Sequence, residues 1–118
     1  MGVGFGVLIL TTPGFRSLPE ELQGYIMEIG LKRIRPGKPD WVVFDPNADK
    51  SQYEDDGRTL RISTRELAEM TLNPVWKRLD KKVYCILDDY GSPEMLSQCA
   101  GFKVNTRYAV TFLLAEEY

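Results

Sequence analysis

The sequence predicts an α+β domain with the element order β-α-β-β-α-β-α-β, and three observations carry that reading. Apolar runs bounded by turn residues recur at "GVLIL", "WVVF", "KVYCIL" and "YAVTFLLA", as buried strands require. Helix-opening signatures stand between them, at Ser17 with Glu20, Ser63 with Glu66, and Ser92 with Pro93 and Glu94. The 118 residues are 43% hydrophobic and 27% charged, proportions that suit one hydrophobic core without metal or disulfide staples.

"GVGFGVLILTTPG" reads as the first strand, with Val3, Phe5, Val7 and Ile9 on one face and Leu8 and Leu10 on the other. Apolar residues on both faces predict an interior strand. Ser17 and Glu20 form a capping box with Pro19 in the first turn. Leu22, Tyr25, Ile26 and Ile29 follow at helical spacing, and the helix ends at Gly30 or continues through Ile34. "RPGKPD" is a turn cluster, "WVVF" is the second strand, and Asp45-Pro46-Asn47 ends it. The polar run from Asn47 to Gly57 reads as an exposed loop. "RTLRI" alternates as a half-buried strand does and is expected to pair with "WVVF" as a hairpin. Ser63 and Glu66 open a second helix whose inner turns are filled by Leu67, Met70 and Thr71. "KVYCIL" is a further strand, bounded by Asp88-Asp89-Tyr90-Gly91. A short helix from Ser92 to about Cys99 and the strand "TRYAVTFLLA" complete the order.

That order contains the split β-α-β unit of a ferredoxin-like fold, with an added helix and a C-terminal strand. Right-handed crossovers would place the helices on one sheet face and leave the other to solvent or a partner. No repeat, low-complexity segment or linker divides residues 1–118, so a single domain is expected.

The chain contains no histidine. Histidine-based hydrolases, RNases and zinc sites therefore cannot be built from it alone. Its two cysteines, Cys85 and Cys99, are too few for a disulfide scaffold or a four-thiolate zinc site, and Cys85 inside an apolar run reads as core. The longest apolar run, Val7 to Leu10, is too short to span a bilayer, and neither a signal peptide nor a myristoylation signal is visible. A cytoplasmic protein without membrane contact is expected.

"ISTRELAEMTLNPVWKRLDK" resembles the start of a DNA-reading helix-turn-helix, through Ser63 or Thr64 followed by Glu66-Leu67-Ala68. Spacing weighs against readout. Asn73 before Pro74 is pushed out of the α region, and too few residues follow before "KVYCIL" for a recognition helix. Val75, Trp76 and Leu79 are expected to face inward, with Lys77, Arg78 and Lys81 outward.

Three further kinds of residue cluster offer candidate sites. Asp45, Asp88 and Asp89 end strands, and on one rim they could anchor Mg²⁺ for phosphoryl transfer. Aspartates beside proline or glycine are more often turn-formers. "GVGFG" precedes its strand and lacks the Gly-Lys-Ser/Thr of a phosphate loop. Lys32, Arg33, Arg35 and Lys38 stand near Trp41, and Lys77, Arg78, Lys81 and Lys82 near Trp76. Basic residues among aromatics can grip single strands by charge and stacking. With 17 acidic against 15 basic residues and a net charge of −2, solvated faces beside core tryptophans are the simpler reading.

The expectation is a non-enzymatic protein-binding module without cofactor or metal, serving as an assembly component or an inhibitor of another protein. Its partner would be another protein or a second copy. A small viral or mobile-element protein would fit that profile. The alternative is a nucleic-acid-binding adaptor using Trp76, Lys77, Arg78, Lys81 and Lys82; the third reading is the metal-dependent phosphoryl-transfer enzyme.

Overall fold

A computed structural model describes residues 6–118. Val3, Phe5 and all but the last glycine of "GVGFG" lie outside the described residues. The first strand, β1, covers Leu8–Thr11. The chain then turns at once into α1, Pro13–Arg16. Thr12 caps this short helix by accepting the Phe15 N–H at 3.3 Å, and Phe15 packs fully buried against Phe112 at 5.5 Å between ring centroids. Ser17 consequently closes α1 instead of opening the next helix, and its hydroxyl donates to the Gly14 carbonyl at 2.6 Å. The long helix α2, Glu20–Arg33, starts after Pro19 with no side-chain cap, and Glu20 and Glu21 complement its positive end.

Gly30 lies inside α2, which continues to Arg33 and is capped by Ile34. A Cβ at position 30 would meet Phe112 at 2.9 Å and the Cys85 sulfur at 3.0 Å. The glycine thus lets the helix backbone lie directly on the sheet.

The other strands are β2 (Trp41–Asp45), β3 (Gln52–Glu54), β4 (Thr59–Ser63), β5 (Val83–Asp89) and β6 (Tyr108–Leu114). They form one mixed sheet of order β1-β6-β5-β2-β4-β3. The expected hairpin between "WVVF" and "RTLRI" is not formed, because β2 and β4 are parallel. The loop from Asn47 supplies the missing strand. It carries the chain past the sheet edge to β3, which pairs antiparallel with β4. The turn between them places Asp55, Asp56 and Gly57 at φ of 53°, 58° and 87°, a conformation that Asp and Gly tolerate. At the opposite edge β1 runs parallel to β6, so the first strand is not interior. The split unit is wider than the ferredoxin-like expectation, since two strands, β6 and β5, separate β1 from β2.

One sheet face carries Val42, Phe44, Leu60, Ile62, Val83, Cys85, Val110 and Phe112, buried with Phe15, Leu22, Ile26 and Trp76 in one core cluster. Val43, Ala109 and Leu113 have the opposite strand parity, and they are buried outside that cluster, as is Leu96 of α4 (Pro93–Ala100), the helix that packs on β6. The helices are therefore not all on one face as expected: α4 covers the β6 side of the second face, and no other described helix lies over the rest. Among the described residues no helix is long and apolar enough to cross a membrane.

The helix α3, Thr64–Thr71, is capped as its sequence predicts. Ser63 accepts the Glu66 N–H at 3.1 Å and donates to the Ala48 carbonyl at 2.7 Å. The reciprocal half of the box is diverted, since the Glu66 carboxylate accepts the Ser51 N–H at 3.0 Å. Thr64 and Ala68 fill the inner face of α3, and the Met70 and Thr71 expected there are exposed. Replacing Ser63 by alanine is expected to lower the unfolding free energy by about 1 to 2 kcal/mol, because it removes the cap and leaves the Ala48 carbonyl unpaired. A neutral result in urea melts would contradict this role.

Candidate functional site: an open sheet face with an aromatic cluster

On the uncovered part of the second face, parity places Trp41, Val43, Tyr84 and Ile86 side by side, since Val43 pairs with Tyr84 and Trp41 with Ile86. Trp41 and Tyr84 are half-buried and meet edge to face at 5.4 Å. Tyr118, 74% exposed, lies against both, at 5.2 Å from Trp41 and 5.8 Å from Tyr84. The segment that holds it is fastened at several points. The Glu117 carboxylate accepts Thr12 Oγ1 at 2.6 Å and the N–H groups of Gly14 and Leu114 at 2.9 Å. These hydrogen bonds, led by that of Thr12, hold the Glu117 carboxyl below the usual carboxylate range. Lys81 pairs with Glu116 at 3.4 Å alongside.

Two depressions flank the cluster. The larger, about 390 Å³, is lined by Trp41, Ile86, Thr111, Leu113 and Tyr118, with Asp40 and Asp88 at its rim. The smaller, about 280 Å³, lies over Val43 and Tyr84 and is bordered by Glu54, Asp55 and Arg61. Charged groups frame both. Arg61 donates from Nη1 to Asp45 Oδ2 and from Nε to Glu54 Oε2, each at 2.7 Å. The Arg61 bond holds the Glu54 carboxyl below its ordinary value, and the same pairing raises the guanidinium further above its own. Arg58 pairs with Asp40 at 3.2 Å.

The aspartates singled out in the sequence do not converge. Asp45 follows Phe44, which pairs with Val83 at the start of β5, whereas Asp88 and Asp89 stand at the opposite end of that strand. Asp45 accepts the Asn47 N–H at 2.8 Å. Asp89 accepts the Gly91 N–H at 2.9 Å and takes both ends of the Arg107 guanidinium. Those bonds, the Arg107 ones first, lower the Asp89 pKa. Both residues therefore shape turns. Among the described residues no three Asp, Glu or Cys side chains gather where a metal ion would be held. Cys85 is buried, which raises its thiol pKa far above the usual value, and Cys99 is exposed.

The helix-turn-helix resemblance ends at α3. Leu72 turns the chain at φ 55°, and Pro74–Arg78 form a 3₁₀ segment in place of a recognition helix. Trp76 is 3% exposed, stacked on Phe44 at 6.4 Å, and offers no ring face to a base. Lys77, Arg78, Lys81 and Lys82 are exposed. Lys81 is engaged with Glu116, and the charge of Lys82 is felt by Glu54.

Of the first basic group, Lys32 pairs with Glu28, Arg33 donates to the Tyr53 hydroxyl, Arg35 to the Ile34 carbonyl and Lys38 to the Asp56 carbonyl. Trp41, read in the sequence as a core residue, is the one that reaches the open face. Its signal was present but mute, because in an all-apolar run such as "WVVF" no alternation marks the covered side. A separate apolar groove of about 300 Å³ lies between α2, β3 and α3, where Met70 is 76% exposed. No protein-family model, curated protein or solved structure matches the chain.

Proposed function

We propose that this chain is a non-enzymatic protein-binding module, of the kind an assembly component or inhibitor uses, and that the open sheet face is its recognition surface. The supporting observation is the Trp41, Tyr84 and Tyr118 cluster, left uncovered by the described helices and framed by Arg58 and Arg61. Trp, Tyr and Arg around a partly desolvated centre are the residue types that dominate binding energy at protein interfaces. The two arginines on this face are each paired with carboxylates, so the surface lacks the uncompensated positive charge that a phosphate backbone needs.

Affinity capture from the native host tests this reading, with wild type and a Trp41→Ala/Tyr84→Ala variant run side by side after melts establish that the variant folds. Truncating two interface anchors is expected to weaken retention of a captured protein by about tenfold or more. Equal capture by both proteins would place the recognition surface elsewhere. Tight, salt-sensitive binding to RNA or duplex DNA, lost when Lys77, Arg78, Lys81 and Lys82 are neutralised, would establish the adaptor instead. Mg²⁺-dependent turnover of nucleotides that disappears in Asp88→Asn would overturn the non-enzymatic assignment.

A further inference from the structure

If the open face binds protein, the charge distribution around the larger depression narrows the chemistry of the partner. Asp40, Arg58 and Asp88 are the charged residues that line that depression. Asp40 is neutralised by Arg58, while among the described residues the Asp88 carboxylate has no hydrogen-bond or ion-pair partner. Around the smaller depression Arg61 serves two carboxylates, Asp45 and Glu54, and Asp55 adds a third. The charge of Lys82 also acts on Glu54. Of the charged residues lining the two depressions, four are carboxylates, Asp40, Asp88, Glu54 and Asp55, and two are cations, Arg58 and Arg61. Ile86, Leu113, Trp41 and the exposed Tyr118 give the larger depression apolar and aromatic lining beside these charged groups.

We infer that this depression receives an arginine side chain from an exposed loop or tail of a partner protein. A guanidinium is planar and weakly hydrated, so it stacks on an aromatic ring while its edge meets a carboxylate. Tyr118 provides the ring, Asp88 the unpaired carboxylate, and Ile86 with Leu113 the apolar lining for the methylene stem. The alternatives fit the charge less well. A second copy docking face to face brings the same excess of carboxylates against itself, and a nucleic acid brings phosphates. The inference rests on the protein-binding reading of this face.

Two blocked peptides test it, Gly-Arg-Gly-Arg-Gly and the same sequence with citrulline, which keeps the shape of arginine without its charge. Each is titrated into the ¹⁵N-labelled protein while amide shifts are followed. The arginine peptide is expected to shift Ile86, Asp88, Thr111 and Tyr118 in a saturable, salt-sensitive manner, with citrulline about tenfold weaker. Asp88→Asn, at an exposed position where folding is not at stake, is expected to remove most of that difference, and Tyr118→Ala to weaken both peptides. Equal binding of the two peptides at these residues would overturn the arginine assignment and leave the face as a protein-binding surface. Shifts scattered over the acidic surface and indifferent to Asp88→Asn, or no shift at all, would overturn it as well. Concentration-dependent self-association abolished by Asp88→Asn would replace the partner arginine with a second copy, whose basic segment 77–82 is the complementary surface.

Discussion

Truncating Trp76 to alanine is expected to lower the unfolding free energy by about 3 to 5 kcal/mol, the cost of removing a large aromatic from a core that cannot fully collapse. The indole is 3% exposed and lies parallel to Phe44, with Tyr25 tilted against it at 6.1 Å. Its neighbours Val75 and Leu79 are buried too, so the 3₁₀ segment acts as a plug between α2 and α3. Trp76→Phe keeps a ring in the site and is expected to lose less. Neutralising Lys77, Arg78 and Lys81 removes only exposed charge and the surface pair with Glu116, and is expected to change stability by less than about 1 kcal/mol. Denaturant melts monitored by circular dichroism measure all three. A Trp76→Ala loss below that of the charge variant would show that the segment is not packed as described.

A second large effect is expected at Arg61, the only cation bonded to both Asp45 and Glu54 among the described residues. The Asp45 side chain is 8% exposed and those of Arg61 and Glu54 are 26% and 29% exposed. Arg61→Ala leaves the nearly buried Asp45 carboxylate and the Glu54 carboxylate, which share that guanidinium, without their cation. The expected loss is about 2 to 4 kcal/mol, below the range for a fully buried pair because Glu54 retains contact with water. Its pH dependence identifies the cause.

In the wild type the Glu54 pKa is lowered on folding, so its contribution is present above the ordinary carboxylate range and is lost as pH falls through the lowered value. In Arg61→Ala the two carboxylates repel, and the folded state takes up protons more readily than the unfolded one. Acid therefore favours the variant relative to the wild type. The stability gap is expected to narrow between about pH 7 and about pH 4. Adding Asp45→Asn to the variant is expected to recover part of the loss at neutral pH. A gap independent of pH would mean that lost packing, not charge, sets the cost.

What the sequence determined by itself is what neighbouring residues decide among themselves. The apolar runs at "WVVF", "KVYCIL" and "YAVTFLL" are strands, and Ser63 and Ser92 cap α3 and α4 through the N–H groups of Glu66 and Met95. Asn73-Pro74 breaks the helix-turn-helix pattern, and Asp45 and Asp89 serve turns. Each depends on a backbone conformation or hydrogen bond spanning a few residues.

Other features were left to the tertiary structure because they compare distant segments. Ser17 and Glu20 carry a capping pattern, yet Phe15 is drawn onto Phe112 and turns the chain earlier, so Thr12 caps and Ser17 closes. β2 could pair with β4 in either direction; the Asp55-Asp56-Gly57 turn lets β3 take the antiparallel place at the edge and leaves the parallel one to β2. The two tryptophans, each beside basic residues, divided in the same way. Trp76 is enclosed by α2, α3 and Phe44, while Trp41 points to the side of the sheet that α4 does not reach. Which side of an all-apolar strand is covered depends on where the helices pack, a sum of contacts between segments far apart in the chain that no local period records.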